Sequence, residues 1–232
     1  MGRLSYSSTN ESLDAVNAGL QPCGDDRILS VASSGCAAFS FLAEGAHVEV
    51  FDRDPIQLGY VQTRKMHLIN GDFRSFLNVI STDIGTSRYR IIKSKHYFRK
   101  KNRLRRIQNN IENLSILHDP LNVFYDLPSD TFGTFSKIYF SNILFMEGYH
   151  GDSSTNVLRR LSRLLKDNGL VYLALPVPLR RLEDFPHLYP GGPIPKEFCV
   201  DAELTEKASV YERQMTKADL TLDWNPLVLV KV

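Results

Sequence analysis

The stretch from Arg27 to Asp52 constrains the fold more than any other part of the chain. Arg27-Ile28-Leu29-Ser30-Val31-Ala32 is a short apolar run with turn signals on both sides, Gly24-Asp25-Asp26 before it and Ser33-Ser34-Gly35 after it. A run of this kind that does not alternate with polar residues reads as a strand buried on both faces of a parallel sheet. Cys36-Ala37-Ala38-Phe39-Ser40-Phe41-Leu42-Ala43-Glu44 then reads as a compact helix, stopped by Gly45 in the position that favours a left-handed C-cap. Ala46-His47-Val48-Glu49-Val50-Phe51 is a second strand, ending on Asp52. Strand, tight turn, helix and strand within about thirty residues make a βαβ crossover. The expected fold is therefore α/β, doubly wound, with a mostly parallel Rossmann-like sheet.

Downstream the same rhythm continues. Asp54 and Pro55 suit the N-cap and first turn of a helix running to about Leu68, and Phe73–Ile80 places Phe73, Phe76, Leu77 and Ile80 at helical spacing. Asn122–Tyr125 and Ser136–Ser141 read as strands. Ser153, Ser154 or Thr155 can cap a helix with a stripe of Val157, Leu158, Leu161, Leu164 and Leu165, expected to end at Asn168-Gly169. Leu170–Leu175 is a core strand stopped by Pro176. Leu227–Val230 closes the chain as a strand, with a partner expected around Gln214–Leu222. The chain is expected to form one domain over residues 1–232, carrying a basic insertion near 83–118 and a proline-rich loop near 176–195, which is a candidate lid.

Composition sets limits on partners. With 232 residues, 43% of them hydrophobic and a net charge of +2, the chain is long enough for one well-buried core, and its overall charge demands neither nucleic acid nor membrane. Cys23, Cys36 and Cys199 show no CxxC or Cys/His spacing, so neither a disulfide framework nor a metal site is expected. No run approaches the length of a transmembrane helix and the first residues lack a signal-peptide stretch, from which a cytoplasmic location is expected.

The candidate ligand site lies where the first crossover turns. Ser33, Ser34 and Gly35 form a turn of small residues through which a ligand can reach backbone N–H groups. Asp52 stands about twenty residues on, the spacing at which a carboxylate meets ribose hydroxyls. Gly35 is the only glycine of that turn, so the fingerprint for a pyrophosphate cofactor is missing; a sulfonium nucleoside has no phosphate and needs none. The plain alternative is that Gly35 is a turn glycine and Asp52 a helix cap. Asp126, before Leu127-Pro128, stands where a class I methyltransferase-like domain has an acidic residue near the adenine, and it is equally suited to a turn. Ser141 and Asn142 end the strand that would line the reaction centre.

Leu29–Cys36, the run Asp52-Arg53-Asp54-Pro55-Ile56-Gln57-Leu58, and Arg64-Lys65 resemble the BtaA-like family, as do Tyr6-Ser7 and Leu20-Gln21-Pro22 upstream. Those enzymes have a class I methyltransferase-like fold and move the 3-amino-3-carboxypropyl group of S-adenosylmethionine. The resemblance covers roughly the first third of the chain, with Ala37 and Asp54 where that family usually has Asn. It implies S-adenosylmethionine as cofactor, with Arg53 and Gln57 joining Ser33, Ser34, Gly35 and Asp52 in binding it. It also implies release of 5′-methylthioadenosine. Methyl transfer is the second reading, and a non-catalytic nucleoside-binding module the rival from another class.

Either transfer is an in-line displacement in which positioning supplies much of the acceleration. A base is needed only where the acceptor must lose a proton, and Glu147, Tyr149 and His150 follow the strand end where a small-molecule acceptor is expected. A solvated loop histidine is the plain alternative for His150. Between Arg88 and Arg106 lie ten Lys or Arg residues and no acid, interleaved with Tyr89, Tyr97 and Phe98. Such a run can hold an anionic acceptor, a membrane surface or nucleic acid. The bland reading, favoured for bulk partners, is a solvated helix face with Leu104, Ile107 and Ile111 turned to the core.

Overall fold

The computed structural model describes Thr9 and residues 11–78, 88–100, 102–117, 131–141, 143, 154–175, 194–216 and 225–232. Among these, one sheet contains β1 (Arg27–Val31), β2 (His47–Phe51), β3 (Leu114–Ile116), β4 (Phe135–Ser141), β5 (Leu165–Leu175), β6 (Phe198–Val200) and β7 (Asn225–Lys231). Their order across the sheet is β3-β2-β1-β4-β5-β7-β6. β1 pairs in parallel with β2 on one side and β4 on the other, and β3 and β5 extend the parallel set. β7 runs antiparallel to both β5 and β6. Between β3 and β4 the chain crosses from one side of β1 to the other. The carboxyl ends of β1 and β4 therefore flank a topological switch point, where open α/β sheets bind ligands.

The helices follow from capping and apolar spacing. Helix α1 (Leu13–Leu20) starts at Ser12, whose Oγ accepts the Ala15 N–H, and buries Leu13, Val16 and Leu20. Its Gly19 lies where a Cβ would come within 2.9 Å of the Tyr172 ring, so the helix can approach β5 only with glycine there. Helix α2 (Cys36–Leu42) is buried along its whole length. Asp54 caps α3 (Pro55–Ile69), accepting the Ile56 N–H at 2.9 Å. Then follow α4 (Phe73–Asn78), α5 (Arg88–Arg99), α6 (Arg103–Asn109), α7 (Ser154–Leu164) and α8 (Ala202–Thr216). In α7, Val157, Leu158, Leu161 and Leu164 all enter the core.

Three sequence expectations are corrected. Asn168-Gly169 does not end a helix: α7 stops at Leu164, and the pair lies inside β5, in a bulge between the pairs Phe135–Leu165 and Lys137–Leu170. Asn168 takes a φ of 60°, and a Cβ on Gly169 would lie 2.8 Å from the Lys166 carbonyl, so the left-handed signal shaped a strand instead of a cap. Of the partner for β7 expected around Gln214–Leu222, only residues 214–216 are described. Residues 214–216 are helical, and β6 takes that place, pairing Phe198 with Lys231. The segment read as a basic insertion also supplies β3, which pairs Val48 with Leu114. The strand expected at 122–125 and the loop at 176–193 lie outside the described residues.

Candidate functional site

At the carboxyl end of β1 the chain turns sharply. Ser33 and Gly35 have φ values of 43° and 76°, and a Cβ on Gly35 would lie 3.0 Å from Phe39 and 3.1 Å from Val61. The turn is tied to β2 by Asp52, whose Oδ2 accepts the Ser33 N–H at 3.2 Å and whose Oδ1 accepts the Asp54 N–H at 3.0 Å. Burial pushes the Asp52 carboxyl above its ordinary value, and the nearby Asp54 charge adds to the rise; the N–H bonds from Asp54 and Ser33 oppose it. A carboxylate oxygen has more than one lone pair, so each Asp52 oxygen retains accepting capacity for a hydroxyl.

Gln57 is nearly buried, and its Nε2 donates to the Ser33 carbonyl, so it shapes the turn from behind. The Ser34 hydroxyl is also buried and accepts from the Cys36 N–H at 3.4 Å. Arg53 is exposed at the rim. Of the residues expected at this site, Asp52 and Ser33–Gly35 lie together at the carboxyl ends of β1 and β2, and Gln57 and Ser34 support the turn.

Sequence reading assigned no role to the group beneath this turn. Arg64 is fully buried in α3 and donates through Nη1 to the Ser34 carbonyl at 2.7 Å, with the Cys36 sulfur 3.2 Å away. Its guanidinium lies 4.3 Å from the Phe76 ring, 4.9 Å from Phe39 and 5.6 Å from Phe98. No carboxylate pairs with it among the described residues, and its Nε and Nη2 have no hydrogen-bond partner there. Ring faces and one carbonyl therefore stabilise a buried cation. The aromatic spacing of α4 and α5 was visible in the sequence; that these rings surround an arginine was not.

A second cluster closes the other side of the switch point. Ser141, at the end of β4 with φ 53°, donates through Oγ to Glu11, and the Tyr139 hydroxyl donates to Glu11 Oε2 at 2.8 Å. Glu11 is only 2% exposed. Behind it the Ser12 N–H bonds Glu212 on α8 at 2.8 Å. Burial, then the Glu11 charge, holds the Tyr139 and Tyr172 phenols protonated well above their ordinary value. Ser141 was expected at this site; Glu11 was missed, because 130 residues separate it from its partner and no local pattern marks it. Asp126, Asn142, Glu147, Tyr149 and His150 lie outside the described residues.

In the basic segment, Ile107 and Ile111 are buried and Leu104 packs against the core, as the bland reading has it. Tyr97 and Phe98 are buried too, which removes them as external stacking platforms. Lys100 meets both oxygens of Asp14 at 3.1 Å, Arg106 meets Glu44 at 2.7 Å, and Arg103 lies 3.7 Å from the Tyr97 ring. These three cations are engaged with the protein's own groups. No described helix is long and apolar enough to cross a membrane.

No family model matches the sequence, and no curated protein matches it. Solved structures do match in shape. The [4+2]-cyclase SpnF covers 94% of this chain and 79% of its own at 10% identity, with a TM-score of 0.50. MccD protein covers 95% and 96% at 12% identity with a TM-score of 0.49, and YcgJ protein from Bacillus subtilis covers 95% and 97% at 11% identity, also with a TM-score of 0.49. The likeness to SpnF and the strand order agree on a mostly parallel seven-stranded sheet with flanking helices, the methyltransferase-like Rossmann fold.

Proposed function

We propose that the chain is an S-adenosylmethionine-dependent transferase whose cofactor lies across the carboxyl ends of β1 and β2. One observation carries the reading. A turn without a phosphate cradle is joined to a half-buried carboxylate that already accepts two backbone N–H groups and retains capacity for ribose hydroxyls. Several structures that resemble the chain in shape are named as methyltransferases, among them a predicted O-methyltransferase from Agrobacterium tumefaciens. SpnF is named a cyclase, so the fold leaves the reaction open. Asp52 and the Ser33–Gly35 backbone would hold the nucleoside, and Ser141 would face the reacting end.

Of the two transferable groups we propose 3-amino-3-carboxypropyl, which the resemblance at Ser30–Cys36 and Asp52–Gln57 supports; methyl transfer is the alternative. The sulfonium carbons are all electrophilic, so the carbon held in line with the nucleophile decides the product. Glu147, Tyr149 and His150 keep their proposed place beside the acceptor. Mass spectrometry of the nucleoside formed from S-adenosylmethionine tests the assignment. Acceptor-dependent 5′-methylthioadenosine is expected, and S-adenosylhomocysteine as the sole product would replace it with methyl transfer. A retained, unreacted cofactor with every acceptor tried would leave a binding module.

A further inference from the structure

The bend between α5 and α6 encloses a hollow of about 140 Å³, lined among others by Arg99, Lys100, Asn102, Arg103 and Arg105. Asn102, with φ 62°, turns the chain there. Four cations line this one small volume, and a single carboxylate meets them: Asp14, on Lys100 at 3.1 Å. Glu44 is matched by Arg106 at 2.7 Å, and His96 is exposed one helical turn before Arg99. Arg103 is fixed from two directions. Its Nη1 donates to the Tyr97 carbonyl at 2.9 Å and its guanidinium lies 3.7 Å from the Tyr97 ring. One of its five N–H groups is spent in this way, so the rest form a fork that is already oriented. The side chains of Arg99, Asn102 and Arg105 have no ion-pair or hydrogen-bond partner among the described residues.

We propose that this hollow binds the phosphate group of a small soluble phosphate ester, held by Arg99 and Arg105 with Arg103 and the Asn102 amide beside them. Four cations against one carboxylate leave an excess of positive charge, and two of the arginines are unspent. A phosphate monoester carries close to two negative charges and three acceptor oxygens, enough to meet several of these donors at once, and the planar guanidinium suits it in paired contacts. A carboxylate offers one charge and two oxygens. A polymer is less suited: Tyr97 and Phe98 are buried, so no ring of this bend is open for a base to stack on, and Ile92 is the one large apolar side chain that α5 exposes among the described residues. The assignment does not depend on the cofactor reading.

NMR titration of the full chain at constant ionic strength, followed on the arginine side-chain signals, tests this with inorganic phosphate, glycerol 3-phosphate and acetate. Both phosphates are expected to bind about tenfold tighter than acetate, and Arg99→Gln combined with Arg105→Gln should weaken them about tenfold, the value of one charge-assisted contact. Both positions are exposed, so the variant should fold at an unchanged Tm. Lys207→Gln combined with Arg213→Gln removes the same charge from exposed positions on α8 and should leave phosphate binding as it was. Equal binding of acetate, or equal weakening in the two double variants, would reduce the hollow to diffuse surface charge and overturn the proposal. Capture by phosphatidic acid vesicles or by single-stranded RNA, with neither small phosphate bound, would overturn it in favour of a membrane or a nucleic acid. Displacement of phosphate by S-adenosylhomocysteine would make the hollow part of the cofactor site and overturn it as a separate one.

Discussion

The two sides of the switch point are built in different ways. On the β1–β2 side, the turn Ser33–Gly35, the carboxylate Asp52 and the supports Gln57 and Arg64 all come from within 32 residues of one another. On the β4 side, Glu11, Tyr139, Ser141 and Glu212 are brought together from positions up to 201 apart. The first side depends on local backbone geometry and one buried cation. The second depends on buried hydrogen bonds to a carboxylate that assemble only when the whole sheet is formed. Loss of a part should therefore damage the turn through ligand affinity and the β4 cluster through stability, with Arg64 contributing to both.

Arg64 gives the largest expected effect. Arg64→Ala should cost about 3 kcal/mol or more in chemical denaturation, because it empties a fully enclosed site ringed by Phe39, Phe76 and Phe98. Arg64→Met sharpens the comparison: it fills the space without burying a charge, so stability should stay within about 1 kcal/mol while S-adenosylmethionine binds about tenfold more weakly. Calorimetric titration of the folded variant reads this directly. Unchanged affinity in Arg64→Met would show that the turn holds its shape without the Ser34 tether.

The β4 cluster should respond next. Glu11→Ala leaves the Tyr139 and Ser141 hydroxyls buried without their acceptor, which costs about 2–3 kcal/mol. Adding Tyr139→Phe removes one of the stranded donors, so the double variant should be more stable than Glu11→Ala alone. A double variant less stable than either single change would mean that the Tyr139 contacts with Ser141 and Thr9 outweigh its bond to Glu11.

These two regions also show how far the sequence could be read. The β1-turn-α2-β2 unit was legible because its signals are local: an apolar run, a small-residue turn, a glycine stop and an acid at the next strand end. Asp54 was read as the α3 cap for the same reason, since Asp-Pro before an apolar helix has one physical use. Helix α1 was missed because its stripe of Leu13, Val16 and Leu20 is short and preceded by polar residues. The three-residue strands β3 and β6 carry too few side chains to show a period. Asn168-Gly169 was read as a helix stop and lies in a bulge, because a left-handed residue such as Asn168 serves a helix end and a bulge equally well. Glu11 carries no local signal at all; only the sheet brings it to Ser141.

Asp52 allows a smaller test by pH, in which stability and affinity should move in opposite directions. Its folded pKa lies above the ordinary 3.8, so between those values the folded protein holds the proton more tightly than the unfolded chain. Its contribution to stability is complete below pH 3.8 and is lost as pH rises through the folded value. The carboxylate is the form that accepts ribose hydroxyls, so S-adenosylmethionine affinity should rise over the same window. Asp52→Asn should flatten both dependences and weaken binding by about 1–3 kcal/mol at neutral pH. Calorimetry across that window checks it, and an unaltered affinity in folded Asp52→Asn would take the central residue out of the site.

The smallest effect is expected from the basic segment, and it tests whether the β1–β2 side is as self-contained as its geometry implies. Lys100 is 42% exposed and meets Asp14 in a surface pair, which contributes about 0–1 kcal/mol and is screened by salt. Arg99 is exposed as well. Neither touches the turn, Asp52 or Gln57 in any described contact, so Arg99→Gln combined with Lys100→Gln should leave S-adenosylmethionine affinity within about twofold and stability within about 1 kcal/mol. A collapse of cofactor affinity in this folded variant would mean that the basic segment reaches the adenosine. The two sides of the switch point would then be one site, and the division between locally built turn and globally built β4 cluster would fail.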